Sequence, residues 1–198
     1  MNPIKSGLRV AIAVLAMLTS LSFLSLAQTP ASAPASDWKA IVQNRLPLYG
    51  HRNWIVVSDS AFPAYSEPGI ETIAVNEDLP SVLKYVAHAI AASRHVRATV
   101  FVDQELQFID EHDYPGVTEL RKQIAAQFAK HQVQTMPHAD VMNKVDEAGK
   151  TFRILFIKTT STIPYTSVFM RLDCGYLSDE GERKIRAAIA AAGSPQPK

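Results

Sequence analysis

Leu48-Tyr49-Gly50-His51-Arg52-Asn53-Trp54-Ile55-Val56-Val57-Ser58-Asp59-Ser60-Ala61-Phe62-Pro63 is the stretch on which the fold turns. Gly50 offers a backbone able to take a positive φ or to approach another group closely. Trp54 to Val57 is a β-rich apolar run of strand length. Asp59 follows at the strand's carboxyl end, the side on which open α/β sheets bind ligands. The histidine before this strand and the carboxylate after it are separated by about 16 Å, five extended residues at ~3.3 Å each. They meet only if the chain folds back or a neighbouring subunit supplies one of them.

Working outward, strands alternate with helices. Trp38, Ile41, Val42 and Leu46 make a helical stripe over Asp37 to Leu46, with Ser36 or Asp37 as its cap. Ile70 to Val75 reads as a second strand. Asp78 caps a helix with Pro80 in its first turn, running to about His95 on Leu83, Val86, Ala87 and Ile90. Ala98 to Val102 is an unbroken apolar strand of the kind buried on both faces. A polar loop, Glu111 to Gly116, leads to a helix from Val117 to about Lys130. Val133 to Met136 predicts an edge strand, Ala139 to Glu147 a short helix, and Phe152 to Ile157 and Tyr165 to Arg171 two further strands. Ser178 caps a last helix, Asp179 to Ala192, with acids in its first turn and Gly193 at its end. The pattern predicts an α/β layered domain.

The N-terminus reads as a targeting segment. Lys5 and Arg9 form a basic region, Val10 to Leu26 an apolar run with interspersed hydroxyl residues, and Ser25-Leu26-Ala27 ends in the small-x-small pattern of signal peptidase sites. Ala31-Ser32-Ala33 is a second candidate site, and an uncleaved anchor is the alternative. The expected organisation is a signal peptide (1–27), a flexible leader (28–36), a domain (37–177) and a C-terminal helix with its tail (178–198). The chain would then be periplasmic or secreted, with no membrane association after cleavage. Removing Lys5 and Arg9 from 20 basic side chains leaves 18 against 19 acidic ones, a net charge of −1. That balance offers nothing to attract nucleic acid or an anionic membrane. Cys174 stands alone, so no intrachain disulfide forms, and its apolar neighbours suggest a buried thiol. No metal-ligand spacing, dinucleotide fingerprint, phosphate loop or nucleophile elbow occurs, so no cofactor and no metal are expected.

The Gly50-His51, the strand ending at Asp59 and the Phe62-Pro63 that follows resemble the signature of the D-ribose pyranase / L-fucose mutarotase family. The resemblance continues through Ile70 to Val75 and Leu79-Pro80-Ser81-Val82-Leu83, and returns at His138 and at Pro164 to Val168. It covers Trp38 to Gly175. It implies a three-layer α/β/α domain with a mixed sheet, action on a free monosaccharide, and a homo-oligomeric ring with sites between subunits. It further implies His51 as the catalytic acid/base, an assignment that an imidazole's proton affinity near neutrality allows. Asp59, His138, Tyr165 and Ser167 would bind the sugar hydroxyls. His138 lies where the pyranases carry a ligand-binding histidine.

Each residue also has a plainer reading. His51 could be a surface loop imidazole, Asp59 could close the turn at Ser60 to Phe62, His138 could flank a helix, and Tyr165 could be a strand tyrosine with one wet end. The chain departs from the family as well. Lys158 to Thr162 stands where relatives carry Gly-Glu, and Tyr165-Thr166-Ser167 where they carry Tyr-x-Asn. Typical relatives are cytoplasmic and end soon after the last strand. Two functions therefore stand side by side: a mutarotase- or pyranase-like isomerase, and a non-catalytic carbohydrate-binding or structural protein retaining the fold. A hydrolase on the same elements lacks an evident nucleophile.

Overall fold

The computed structural model describes residues 37–129 and 133–193. The expected signal peptide, the flexible leader, Lys130, His131 and the tail from 194 lie outside the described residues.

In chain order the elements are α1 (Trp38–Arg45), β1 (Trp54–Ser58), β2 (Ile70–Ala74), α2 (Leu79–Ala92), β3 (Val96–Asp103), α3 (Val117–Gln127), β4 (Val133–Met136), α4 (His138–Gly149), β5 (Ile154–Lys158), β6 (Val168–Cys174) and α5 (Asp179–Ala191). The strands form one mixed sheet in the order β2-β5-β1-β6-β3-β4. β2, β5 and β1 pair in parallel, as do β3 and β4, while β6 runs antiparallel to both its neighbours, β1 and β3.

Alternation along the strands sends side chains to two cores. Ile55, Val57, Leu155, Ile157, Val168 and Met170 pack under α1, α2 and α3. On the other face Trp54, Val56, Phe101, Phe156 and Phe169 pack against Val141 and Val145 of α4. The helices thus lie on both faces of a mixed sheet, in three layers. β1 is buried at all five positions, and each large apolar side chain so buried is worth ~1.5–3 kcal/mol. No register that exposes one face of β1 competes with that. The α4 face is aromatic: Phe62 and Tyr65 stack on Phe156 at centroid distances of 4.8 and 5.2 Å.

The helix starts follow their caps. Asp37 accepts from Ala40 N, Asp78 from Ser81 N and Ser178 from Gly181 N, each three residues on. Glu111 does the same from a distance in sequence, accepting from Gly116 N and Thr118 N at 2.6 and 2.7 Å to hold the entry to α3, where Gly116 takes a φ of 95°. These bonds, led by that from Gly116, lower the Glu111 carboxyl to about 2.

Three expectations are corrected. α2 ends at Ala92 rather than near His95, because Ser93 turns extended and bonds back to Ala89 O. His95 leaves the helix to donate from Nε2 to Leu46 O and Tyr49 O, 3.1 and 3.0 Å away, which ties β3 to the turn after α1. The sixth strand spans Val168–Cys174 instead of Tyr165 to Arg171: Tyr165 takes a φ of 57°, and Thr166 bonds Ile163 O, so this part of the chain is a turn. The left-handed residue of the 50–53 turn is Arg52, at φ 75°, and not Gly50. Asn53 N donates to Gly50 O and Asn53 Oδ1 accepts from Gly50 N, which closes the turn around Arg52 at the position that requires positive φ in a type II turn.

α5 has no buried residue, and Ile185 and Ile189 are more than half exposed. Arg97 of β3 reaches it through Asp179.

Candidate functional site

Register assembles one rim of the sheet. Val168 of β6 pairs with Val57 on one side and Val102 on the other. One step further along, Ser58, Ser167 and Asp103 stand side by side, with Asp59 just beyond β1. On the outer flank Asp103 pairs with Met136 of β4, and α4 opens two residues later at His138. Residues 59, 103, 138 and 167 thus converge through strand pairing, although Asp59 and Ser167 are 108 residues apart.

The side chains interlock. Ser167, 1 % exposed, donates through Oγ to Asp59 Oδ2 at 3.3 Å, while Asp59 Oδ1 accepts from Ala61 N at 2.9 Å. His138 Nδ1 lies 3.0 Å from Asp103 Oδ2, and the backbone N–H of His138 donates to both carboxylate oxygens of Glu105. Tyr165 meets the His138 ring edge to face, centroids 5.4 Å apart and planes at 84°. Tyr165 and His138 both remain about one-third exposed, so the cluster has a buried, acidic floor and a half-open aromatic lip.

Asp103 is fully buried, and its second oxygen, Oδ1, meets no donor among the described residues. Burial raises its carboxyl to about 6; the nearby His138 opposes the shift, and the charges of Glu105 and Asp59 add to it. Sequence reading passed over Asp103, although it bears the same signature as Asp59, a carboxylate closing an apolar strand.

His51 does not join this rim. It sits before β1, at the other end of that strand, where its Nδ1 lies 3.4 Å from Asp173 Oδ1. Asp173 is 8 % exposed, and its Oδ2 accepts from Thr99 at 2.6 Å and Arg171 at 3.2 Å. A cavity of about 720 Å³ opens beside this pair, lined among others by Arg52, Trp54, Lys144 and Arg171. Asp173 escaped the sequence reading because it lies beyond the expected end of β6. Four of the five expected site residues therefore gather at one rim of a single chain, and the fifth stands at the opposite one.

Residues 41–192 match the model of the RbsD / FucU transport protein family. Among solved structures, RbsD of Bacillus subtilis complexed with D-ribose superposes with a TM-score of 0.50 at 15% identity, over 68% of this chain and 92% of that one. The fucose mutarotase of Streptococcus pneumoniae in complex with L-fucose gives a TM-score of 0.47 at 14% identity, over 66% and 89%. No curated protein matches. With the family model spanning three-quarters of its length, this chain belongs to the RbsD / FucU transport protein family.

Proposed function

We propose that the chain is an exported isomerase that interconverts ring or anomeric forms of a free monosaccharide by acid/base catalysis. The observation that carries this reading is the meeting of Asp59, Asp103, His138, Tyr165 and Ser167 at one rim of the sheet. An acceptor-only carboxylate, an imidazole and a phenol together suit a ligand made of hydroxyl groups. Family membership supports the same class of ligand, since the relatives above are a ribose complex and a fucose complex. The basic and apolar N-terminus supports export to the periplasm or medium.

Ring opening needs one proton delivered to the ring oxygen as its bond to the anomeric carbon breaks, and one proton taken from the anomeric hydroxyl as the carbonyl forms. Re-closure on the other face, or through another hydroxyl, reverses both transfers. No electrons leave the sugar, so the exchange calls for no redox partner. In this reading His51 is one proton carrier, and the groups at the opposite rim orient the hydroxyls. Because β1 separates the two ends by about 16 Å, His51 would serve the site of a neighbouring copy, which makes the working form a homo-oligomer.

A second reading, a carbohydrate-binding protein without catalysis, draws on a specific observation: Ser167 is buried and its hydroxyl is committed to Asp59, at the position where the family resemblance implies an asparagine. Saturation-transfer NMR of ribose, fucose, galactose and glucose with the purified protein, alongside calorimetric titration, separates the two. Accelerated exchange supports the isomerase. Binding without acceleration selects the second reading, and neither result with any sugar discards both.

A further inference from the structure

Five observations converge on the group behind His138. Asp103 is fully buried at the end of β3, the imidazole Nδ1 is 3.0 Å from its Oδ2, and no described residue bonds the ring's other nitrogen. The His138 backbone is pinned independently by Glu105, and the ring is braced edge-on by Tyr165. Rotation of the imidazole therefore breaks a half-buried hydrogen bond and an aromatic contact together.

We infer that Asp103 is a positioning residue that fixes His138 in the Nδ1–H tautomer and so gives the sugar site a second acid/base, with Nε2 as the atom that exchanges protons with the substrate. The inference rests on the isomerase reading for its substrate but not for its geometry. An ionised carboxylate can only accept, so Nδ1 must carry the hydrogen, and Nε2 is left with the lone pair that can take the anomeric proton. With the carboxyl titrating near 6, this holds at pH 7.5. The carboxylate also stabilises the imidazolium formed once Nε2 is protonated; the same division of labour makes the aspartate of a Ser-His-Asp triad indispensable without its touching substrate. His51 would then deliver the proton to the ring oxygen while His138 removes the other. The opposed transfers of ring opening would have separate carriers.

The test has a readout that needs no sugar. Long-range ¹H–¹⁵N NMR of the full-length protein at pH 7.5 reports which His138 nitrogen is protonated. Nδ1–H is expected in the native protein, and Nε2–H would overturn the inference. In Asp103→Leu no acceptor remains for Nδ1–H, so the Nδ1–H preference is expected to be lost and Nε2–H to appear with the circular dichroism unchanged; a folded Asp103→Leu with the native tautomer population overturns it. For whichever sugar the native protein exchanges, kcat of Asp103→Asn should fall about 10²- to 10⁴-fold with KM within a few-fold, and Asp103→Glu should recover part of the loss. A folded Asp103→Asn with native kcat overturns the role. Should no sugar be exchanged by the native protein, the isomerase reading falls while the tautomer result still decides the positioning of His138.

Discussion

Ser167 Oγ and Asp59 Oδ2 are joined across 3.3 Å, and the bond ties the start of β6 to the end of β1. Asp59 is held from two sides, by this hydroxyl and by Ala61 N. Its orientation is therefore set before any ligand arrives, and Ser167 acts on a ligand through the carboxylate rather than by reaching for it.

Removing that tie should show first in affinity. Ser167→Ala deletes one hydrogen bond of about 0.5–1.5 kcal/mol; sugar binding is expected to weaken by up to about tenfold with the fold intact. Ser167→Asn inserts a larger amide at a position 1 % exposed, where overpacking costs about 1–3 kcal/mol. Titration calorimetry and thermal melts of both variants check this. A tighter-binding Ser167→Asn would show that the amide finds the sugar instead of the carboxylate.

Separation of His51 from the opposite rim makes a prediction about mixtures. His51→Ala and Asp59→Ala should each reduce exchange to near the spontaneous rate. If sites are shared between copies, co-refolding the two inactive variants regenerates some sites holding both native residues, and part of the activity returns. Mixtures as inactive as their parents would confine each site to one chain.

Asp103 gives stability a pH dependence whose sign is fixed. Its carboxyl lies at about 6 in the folded chain against an ordinary 3.8, because burial penalises the charge. Between those values the native state holds more protons than the unfolded state. The contribution is therefore full below about 4 and is lost as pH rises through 6. Two units correspond to about 3 kcal/mol at most. Urea unfolding at pH 4.5 and 7.5 should show the native protein losing stability relative to Asp103→Asn over that interval; parallel curves would show that the proton is not held there.

Tyr165 is left-handed at φ 57°, a conformation that costs a side-chain-bearing residue roughly 1–2 kcal/mol. Tyr165→Gly relieves the strain but frees the unfolded chain, so the melting temperature is expected to stay level or rise slightly. Its sugar binding should fall, since the ring against His138 is gone. Tyr165→Phe keeps the backbone and the ring, and isolates the hydroxyl. A marked loss of stability in Tyr165→Gly would mean that the ring contact outweighs the strain.

What could be read from the chain was local. The caps at Asp37, Asp78 and Ser178 each act within three residues, and the apolar runs of β1 and β3 are dense enough to exclude other elements. Tyr165 was misread because local preference favours a strand there, and only its surroundings hold it in a turn. Asp103 was legible by the rule that selected Asp59. Its bond to His138 was not, because that depends on β3 pairing with β4 across the connection through α3. Asp173 depends likewise on where β6 ends, which β1 and β3 decide.

The antiparallel β6 carries a consequence for how the chain acquires its structure. β1, β5 and β2 can pair among themselves, and so can β3 and β4, but among the described residues no pairing joins these two groups except through β6, the last of these strands in sequence. Without residues 168–174 the two groups would be part-sheets with unpaired inner edges. Such edges invite pairing with other chains, and closing contacts across more than a hundred residues slows folding. A chain cut before β6 should accumulate as aggregate, whereas one cut after Gly175 should still complete its sheet. The last strand to be made thus decides when the molecule becomes a single cooperative unit, and the rim that gathers Asp59, Asp103, His138 and Ser167 comes into being at the same step.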